Sequence, residues 1–134
     1  MVLDPLLEHL KALVGFDTQN PPRDLDGSSP LWDYLVSALG DSFSVEITDH
    51  GKGRVSFLAV RGEPRLLFNV HLDTVPVLDG ALHPPLQLTV DDDRAYGRGA
   101  CDIKGAAACL LQVARNTDGP MALLFTTDEE GAEG

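Results

Sequence analysis

Leu6, Leu10, Leu13 and Val14 recur at the spacing of one helical face. Asp4-Pro5 before them reads as an N-cap followed by proline at the first helical position, and Gly15 can end the helix. Residues 16–27 hold Asn20-Pro21-Pro22 and Asp26-Gly27, so they read as a loop. Ser29-Pro30 opens a second helix by the same signals, with Leu31, Leu35, Ala38 and Leu39 as its apolar face and Gly40 as its stop. The period then changes. Val45 to Thr48 alternates apolar and polar side chains, as a half-buried strand does, and a turn at Gly51-Lys52-Gly53 leads into a second strand, Val55 to Val60. Leu66 to Val70 is an apolar run, expected of a strand covered on both faces. Leu86 to Val90 and the stretch around Tyr96 read as further strands. Ala106 to Ala114 is apolar almost all round and predicts a buried helix, ended by residues 116–119. Met121 to Thr126 is another covered strand, too apolar for an exposed edge, so its neighbours are expected beyond the present chain.

Helices alternating with apolar strands predict an α/β layered sheet with helices on both faces. Ligands of such sheets bind beyond the carboxyl ends of the strands. The strand exits are therefore the places to look for chemistry.

Composition narrows the choice. The chain has 134 residues, 43% of them hydrophobic, which suits one globular domain and excludes a disordered segment. A formal net charge of −11 argues against nucleic acid as a partner. No apolar run is long enough to span a membrane. The first residues lack a basic region and are interrupted by Asp4, Glu8 and His9, so a cytoplasmic location is the default expectation. Cys101 and Cys109 are the two cysteines and are expected to be free thiols.

Three strand exits carry histidine or acids. In His71-Leu72-Asp73, residues two apart share a face, so His71 and Asp73 can point the same way. A ligating imidazole needs its second nitrogen held by an acceptor, often a carboxylate. Alone, this pair reads more simply as a capped turn histidine. Gly97 to Gly105 holds Asp102, which alone reads as a helix cap. A dinucleotide fingerprint fails there because its third glycine falls on Asp102, and a calcium loop from Asp91 fails because Tyr96 stands where glycine is needed. Thr127-Asp128-Glu129-Glu130-Gly131 delivers three acids in a row from an apolar strand, which costs free energy unless a cation offsets it. Together, one histidine, one isolated aspartate and one glutamate pair at strand exits offer nitrogen and carboxylate ligands that suit zinc. Adjacent glutamates can divide the work, one binding metal while the other takes a proton.

His71-Leu72-Asp73-Thr74-Val75-Pro76, the Gly97–Gly105 segment and Thr127–Gly131 resemble, in order and spacing, the dinuclear zinc family of acetylornithine deacetylase, succinyl-diaminopimelate desuccinylase, aminoacylase and glutamate carboxypeptidase. Asn20-Pro21-Pro22 matches as well, and the wording leans to the acetylornithine and acetylcitrulline deacetylase branch. The resemblance covers essentially the whole chain. It implies a three-layer α/β zinc-peptidase-like catalytic domain, of which residues 1–134 are the N-terminal portion with a mixed, mostly parallel sheet. It implies metal ligands at His71, Asp102 and Glu130, with Asp102 bridging two ions. Glu129 would be the general base and Asp73 the carboxylate that orients His71. A cis bond is implied between Asp102 and Ile103. The implied cofactors are two divalent ions, zinc with cobalt as the alternative. The implied reaction is hydrolysis of an N-acetylornithine- or N-acetylcitrulline-type amide by metal-bound hydroxide, in a cytoplasmic homodimer of arginine biosynthesis that binds neither nucleic acid nor membrane. A dipeptidase, a desuccinylase, or a non-catalytic remnant serving as a binding partner are the alternatives.

There are departures. Leu78 to Pro85 lacks a tryptophan common in this family, and Cys101 replaces a small apolar residue, where a buried inert thiol is expected. His9, His50 and His83 fit no motif and are expected at the surface. Family members continue past Gly134 with further metal ligands and a lid domain, so each ion keeps two of its ligands here and this chain alone is expected to be inactive.

Overall fold

Residues 3–131 are described by a computed structural model. The first helix, α1 (Leu3–Gly15), buries Leu10, Leu13 and Val14. It already includes Leu3, so Asp4 lies inside the first turn, where a carboxylate suits the helix dipole, and does not cap it. The second, α2 (Pro30–Leu39), forms as its signals predict: the Ser29 hydroxyl accepts the Leu31 N–H at 3.3 Å, and Gly40 leaves the helix at φ 79°.

The strands β1 (Ser44–Asp49) and β2 (Val55–Arg61) make an antiparallel hairpin. Two further strands, β3 (Leu67–His71) and β6 (Met121–Thr126), complete a four-stranded sheet in the order β1-β2-β6-β3. Between them in sequence come the short strands β4 (Thr89–Asp91) and β5 (Arg94–Tyr96), paired only with each other, and α3 (Gly105–Asn116). The sheet is mixed, as expected, but two of its three ladders are antiparallel, which corrects the mostly parallel expectation. The reason is connection length. A parallel pair needs a crossover of a dozen or more residues, and α3 provides one, between β3 and β6. Residues 50–54 are too few to do anything but turn the chain back.

The strand β6 is central, flanked by β2 and β3 of the same chain, so its neighbours do not lie elsewhere. Conversely, β3 is an edge: Leu67 and Phe68 are 53% and 45% exposed, against the expectation of a covered strand. Leu86 to Val90 is a strand only from Thr89 onward.

One face of the sheet carries the core. Val55, Phe57 and Ala59 of β2 alternate inward with Leu123 and Phe125 of β6, and meet buried residues of all three helices. Trp32 stacks on Phe57 with ring centroids 5.9 Å apart. On the other face Ser56, Leu58, Val60 and Leu124 stay partly exposed, so the described residues supply one helical layer and not a layer on each face. The helix α3 is likewise not buried all round, because Cys109 and Val113 face outward. Its last turn is held by Arg61, whose guanidinium donates to the Ala114 and Gly119 carbonyls at 2.9 and 2.8 Å. Among the described residues no helix is long and apolar enough to cross a membrane.

Candidate functional site

Parallel pairing of β3 with β6 aligns His71 with Thr126, so both strands release the chain at the same end of the sheet. Beyond β6, Thr127 turns inward; its hydroxyl donates to the Gly53 carbonyl at 2.8 Å and accepts the Val55 N–H at 2.9 Å. That bond fixes where the next three acids emerge. Beyond β3, Asp73 is almost fully buried, 1% exposed. A carboxylate at that depth needs partners. It accepts the backbone N–H of Glu130 at 2.8 Å, that of Glu129 at 3.2 Å, and the Asn20 side-chain amide at 3.0 Å.

The loop after α1 is tied to the same segment. Thr18 donates its hydroxyl to the Leu72 carbonyl at 2.6 Å, and the Asn20 N–H reaches the Thr74 carbonyl at 2.8 Å. Arg23 pairs with Asp128. Gly131 packs so close to Asn20 that a Cβ there would come within 2.4 Å of its Oδ1. The peptides Asn20-Pro21 and Pro21-Pro22 are cis.

Asp102 sits in an irregular turn, Ala100–Lys104, ahead of α3, and the Asp102-Ile103 peptide is cis, as the resemblance implies. Lys104 anchors the turn. It is 1% exposed, and its Nζ donates to the Phe16 carbonyl at 3.0 Å. Burial lowers its pKa to about 8, opposed by the charge of Asp17.

These elements bring His71, Glu129 and Glu130 together, with one ligand atom from each lying within 4.8 Å of the others. The Nδ1 of His71 donates to the backbone carbonyl of Asp73 at 2.9 Å, with the Asp73 carboxylate at 3.5 Å. Its Nε2 faces the site, 3.2 Å from Asp102 Oδ1 and 3.6 Å from Glu129 Oε2. The acids crowd one another. Burial, and then the charges of Asp102 and Glu129, raise the Glu130 pKa. An imidazole nitrogen amid carboxylates that repel one another is the donor set of a divalent cation, and these residues fit one.

The five residues singled out from the sequence thus converge, with two differences. The compact trio contains Glu129, expected as a base, while Asp102 lies outside it, 3.2 Å from His71 Nε2 and 74% exposed at its side chain. The Asp73 carboxylate spends its nearest contacts on the Glu130 N–H, the Asn20 amide and the Glu129 N–H, and its backbone carbonyl is the closer acceptor for His71. Cys101 is exposed and not buried, because its turn stands outside the core, and it lines a cavity of about 250 Å³ beside Asp102 and Glu130. Both cysteines are free. His50 is exposed, as expected, while His9 is partly buried, with Nδ1 2.7 Å from the Tyr34 hydroxyl, and His83 is half-buried against Tyr96. Arg23 and Lys104 support the site without a signal in the sequence, and Asp128, one of the three acids, pairs with Arg23. Nothing local to Arg23 signals a partner 105 residues later.

Residues 67–134, half of the chain, match the profile of peptidase family M20/M25/M40. The chain belongs to this family. It is 50% identical over 129 residues to N-acetyl-L-citrulline deacetylase of Xanthomonas campestris, covering 96% of this chain and 35% of that protein. It is 36% identical over 141 residues to acetylornithine deacetylase of Myxococcus xanthus (96% and 36% covered). Succinyl-diaminopimelate desuccinylase of Rickettsia akari is 34% identical over 139 residues (93% and 36% covered). The chain spans about a third of the length of these relatives. Its fold matches that of human carnosine dipeptidase 1 with a TM-score of 0.72 at 23% identity, covering 97% of this chain and 33% of that one.

Proposed function

We propose that this chain is the N-terminal part of the catalytic domain of a metal-dependent amidohydrolase acting on N-acyl amino acids, of the N-acetylcitrulline or N-acetylornithine type. The observation that carries this reading is the gathering of His71, Glu129 and Glu130 around one buried carboxylate, Asp73. The 50% identity to a deacetylase supports the substrate class. Nitrogen and oxygen donors favour zinc, and two ions are proposed, held by His71, Asp102 and Glu130 with ligands from the rest of a longer protein.

When bound, such ions polarise an amide carbonyl and lower the pKa of water. The chain's own residues divide the remaining work. His71 donates an Nδ1–H hydrogen bond to the Asp73 carbonyl and so presents Nε2 to the site. Glu130, half-buried among other acids, is suited to hold a cation that offsets its repulsions. Glu129 is the freer of the two, 60% exposed at its side chain, and is proposed to take the proton of the attacking water and return it to the leaving nitrogen. Asp73 sets the spacing between them by holding both backbones. A lid domain, homodimeric assembly, a cytoplasmic location and a role in arginine biosynthesis belong to the same proposal.

The test is to express the full-length protein, measure its metal content, and compare turnover of N-acetylcitrulline, N-acetylornithine and N-succinyl-diaminopimelate. Metal-dependent release of acetate from either acetyl substrate is expected. Preference for the succinyl substrate would reassign the specificity, and metal-independent or absent turnover of all three would remove the reading.

A further inference from the structure

A second cavity lies on the helical layer, at the end of α3 away from the strand exits. It measures about 560 Å³ and sits where α1 and α2 meet the last turns of α3. The ends of α3 are about 16 Å apart by helical rise, so this groove is separate from the proposed metal centre. Its wall is polar, with His9, Tyr34, Ser37, Gln112, Arg115 and Asn116.

Gln112 is the unusual member. It is 9% exposed, lines the groove, and its side-chain amide has no hydrogen-bond partner among the described residues. Its amide reaches solvent in the groove, where it offers a ligand donors and an acceptor. Arg115 supplies the positive charge of the groove. His9 adds none near neutral pH, because burial and then the Arg115 charge lower its pKa. Glu8 lies close enough to raise the Tyr34 pKa, second to burial, and would repel a multiply charged anion. One planar guanidinium matches one carboxylate, whereas a phosphate dianion would find too little positive charge.

We infer that this groove binds an amino-acid-sized monocarboxylate with a hydrogen-bonding side group, Arg115 taking the carboxylate and Gln112 the polar group. The site needs no metal and no reaction.

L-glutamine is a suitable probe because it carries both groups. Titrated calorimetrically into the full-length protein, it is expected to bind with a dissociation constant on the order of millimolar. Arg115→Gln and Gln112→Met should each weaken binding about five-fold or more, and L-glutaminamide should bind no better than L-glutamine binds Arg115→Gln. Arg115 is exposed, so its replacement leaves the core intact. Arg115→Lys, which keeps the charge and loses the fork, should fall between. Glu129→Ala, in the proposed metal centre, should leave L-glutamine binding unchanged, and that holds whether or not the hydrolase reading survives. Absence of saturable binding, indifference to Arg115→Gln, loss in Glu129→Ala, or Arg115-dependent binding of inorganic phosphate in preference to L-glutamine would each overturn the inference.

Discussion

The carboxylate of Asp73 accepts the backbone N–H of Glu130 at 2.8 Å, across 57 residues of sequence. This bond, doubled by the one from Glu129, makes the two glutamates follow wherever Asp73 goes. Asp73→Asn would replace one acceptor oxygen by an NH₂ group facing an N–H, so one of these bonds must break. In the full-length protein the substitution should lower metal affinity or kcat by roughly 10–100-fold with the fold retained. Metal analysis beside circular dichroism checks this. Wild-type metal content and turnover in Asp73→Asn would show that the bonds are dispensable.

The proposed division of labour separates three further variants of the full-length protein. Glu130→Ala should lose metal, because a ligand is removed. Asp102→Ala should disturb both ions. Glu129→Ala should keep its metal and lose kcat by roughly 10²–10⁴-fold with KM little changed. Because Glu129 lies within the compact trio, metal loss in Glu129→Ala is the outcome that would exchange the roles of the two glutamates.

His9 gives the helical layer a pH dependence of its own. Its folded-state pKa lies below 6.5, so between the folded value and 6.5 the unfolded chain binds more protons. The stability held in neutral His9 is complete above about 6.5 and is lost as pH falls toward the folded value. Thermal unfolding of wild type and His9→Gln at about pH 7.5 and about pH 5 should show the difference in Tm shrinking by about 1 °C or more in the variant. An unchanged difference would exclude His9 as its source.

The β3 edge leads to an expectation for the 134-residue chain by itself. Leu66, Leu67 and Phe68 are 72%, 53% and 45% exposed along a strand that pairs on one side alone among the described residues, a template for association. Sedimentation should show self-association that Leu67→Lys reduces. A wild-type monomer at high concentration would count against this.

Several features were legible in the sequence because they are local. Ser29 and Gly40 bound α2, the Gly51-Lys52-Gly53 turn made β1 and β2 antiparallel, and Met121–Thr126 matched its strand to the residue. The acids and histidine of the site stood out because they interrupt apolar strands at their exits. Strand order was not legible. Hydrophobicity along a strand reports how much is covered and not by what, so Met121–Thr126 reads as covered while β2 and β3 cannot be read as its partners. The short link between β2 and β3 suggests neighbours, yet β6 lies between them. The supports of the site were equally hidden, since Asn20 reaches Asp73 across 53 residues and Lys104 reaches Phe16 across 88.

The position of β6 has a consequence for the nascent chain. During synthesis β2 and β3 leave the ribosome well before β6, the strand that lies between them in the finished sheet. Until β6 takes that place, His71 has no strand beside it and Asp73 lacks the two N–H groups that satisfy it. The closing strand and the acidic residues arrive as one continuous segment. Sheet completion and assembly of the site are therefore a single late event, and no earlier intermediate can gather the cation-binding residues.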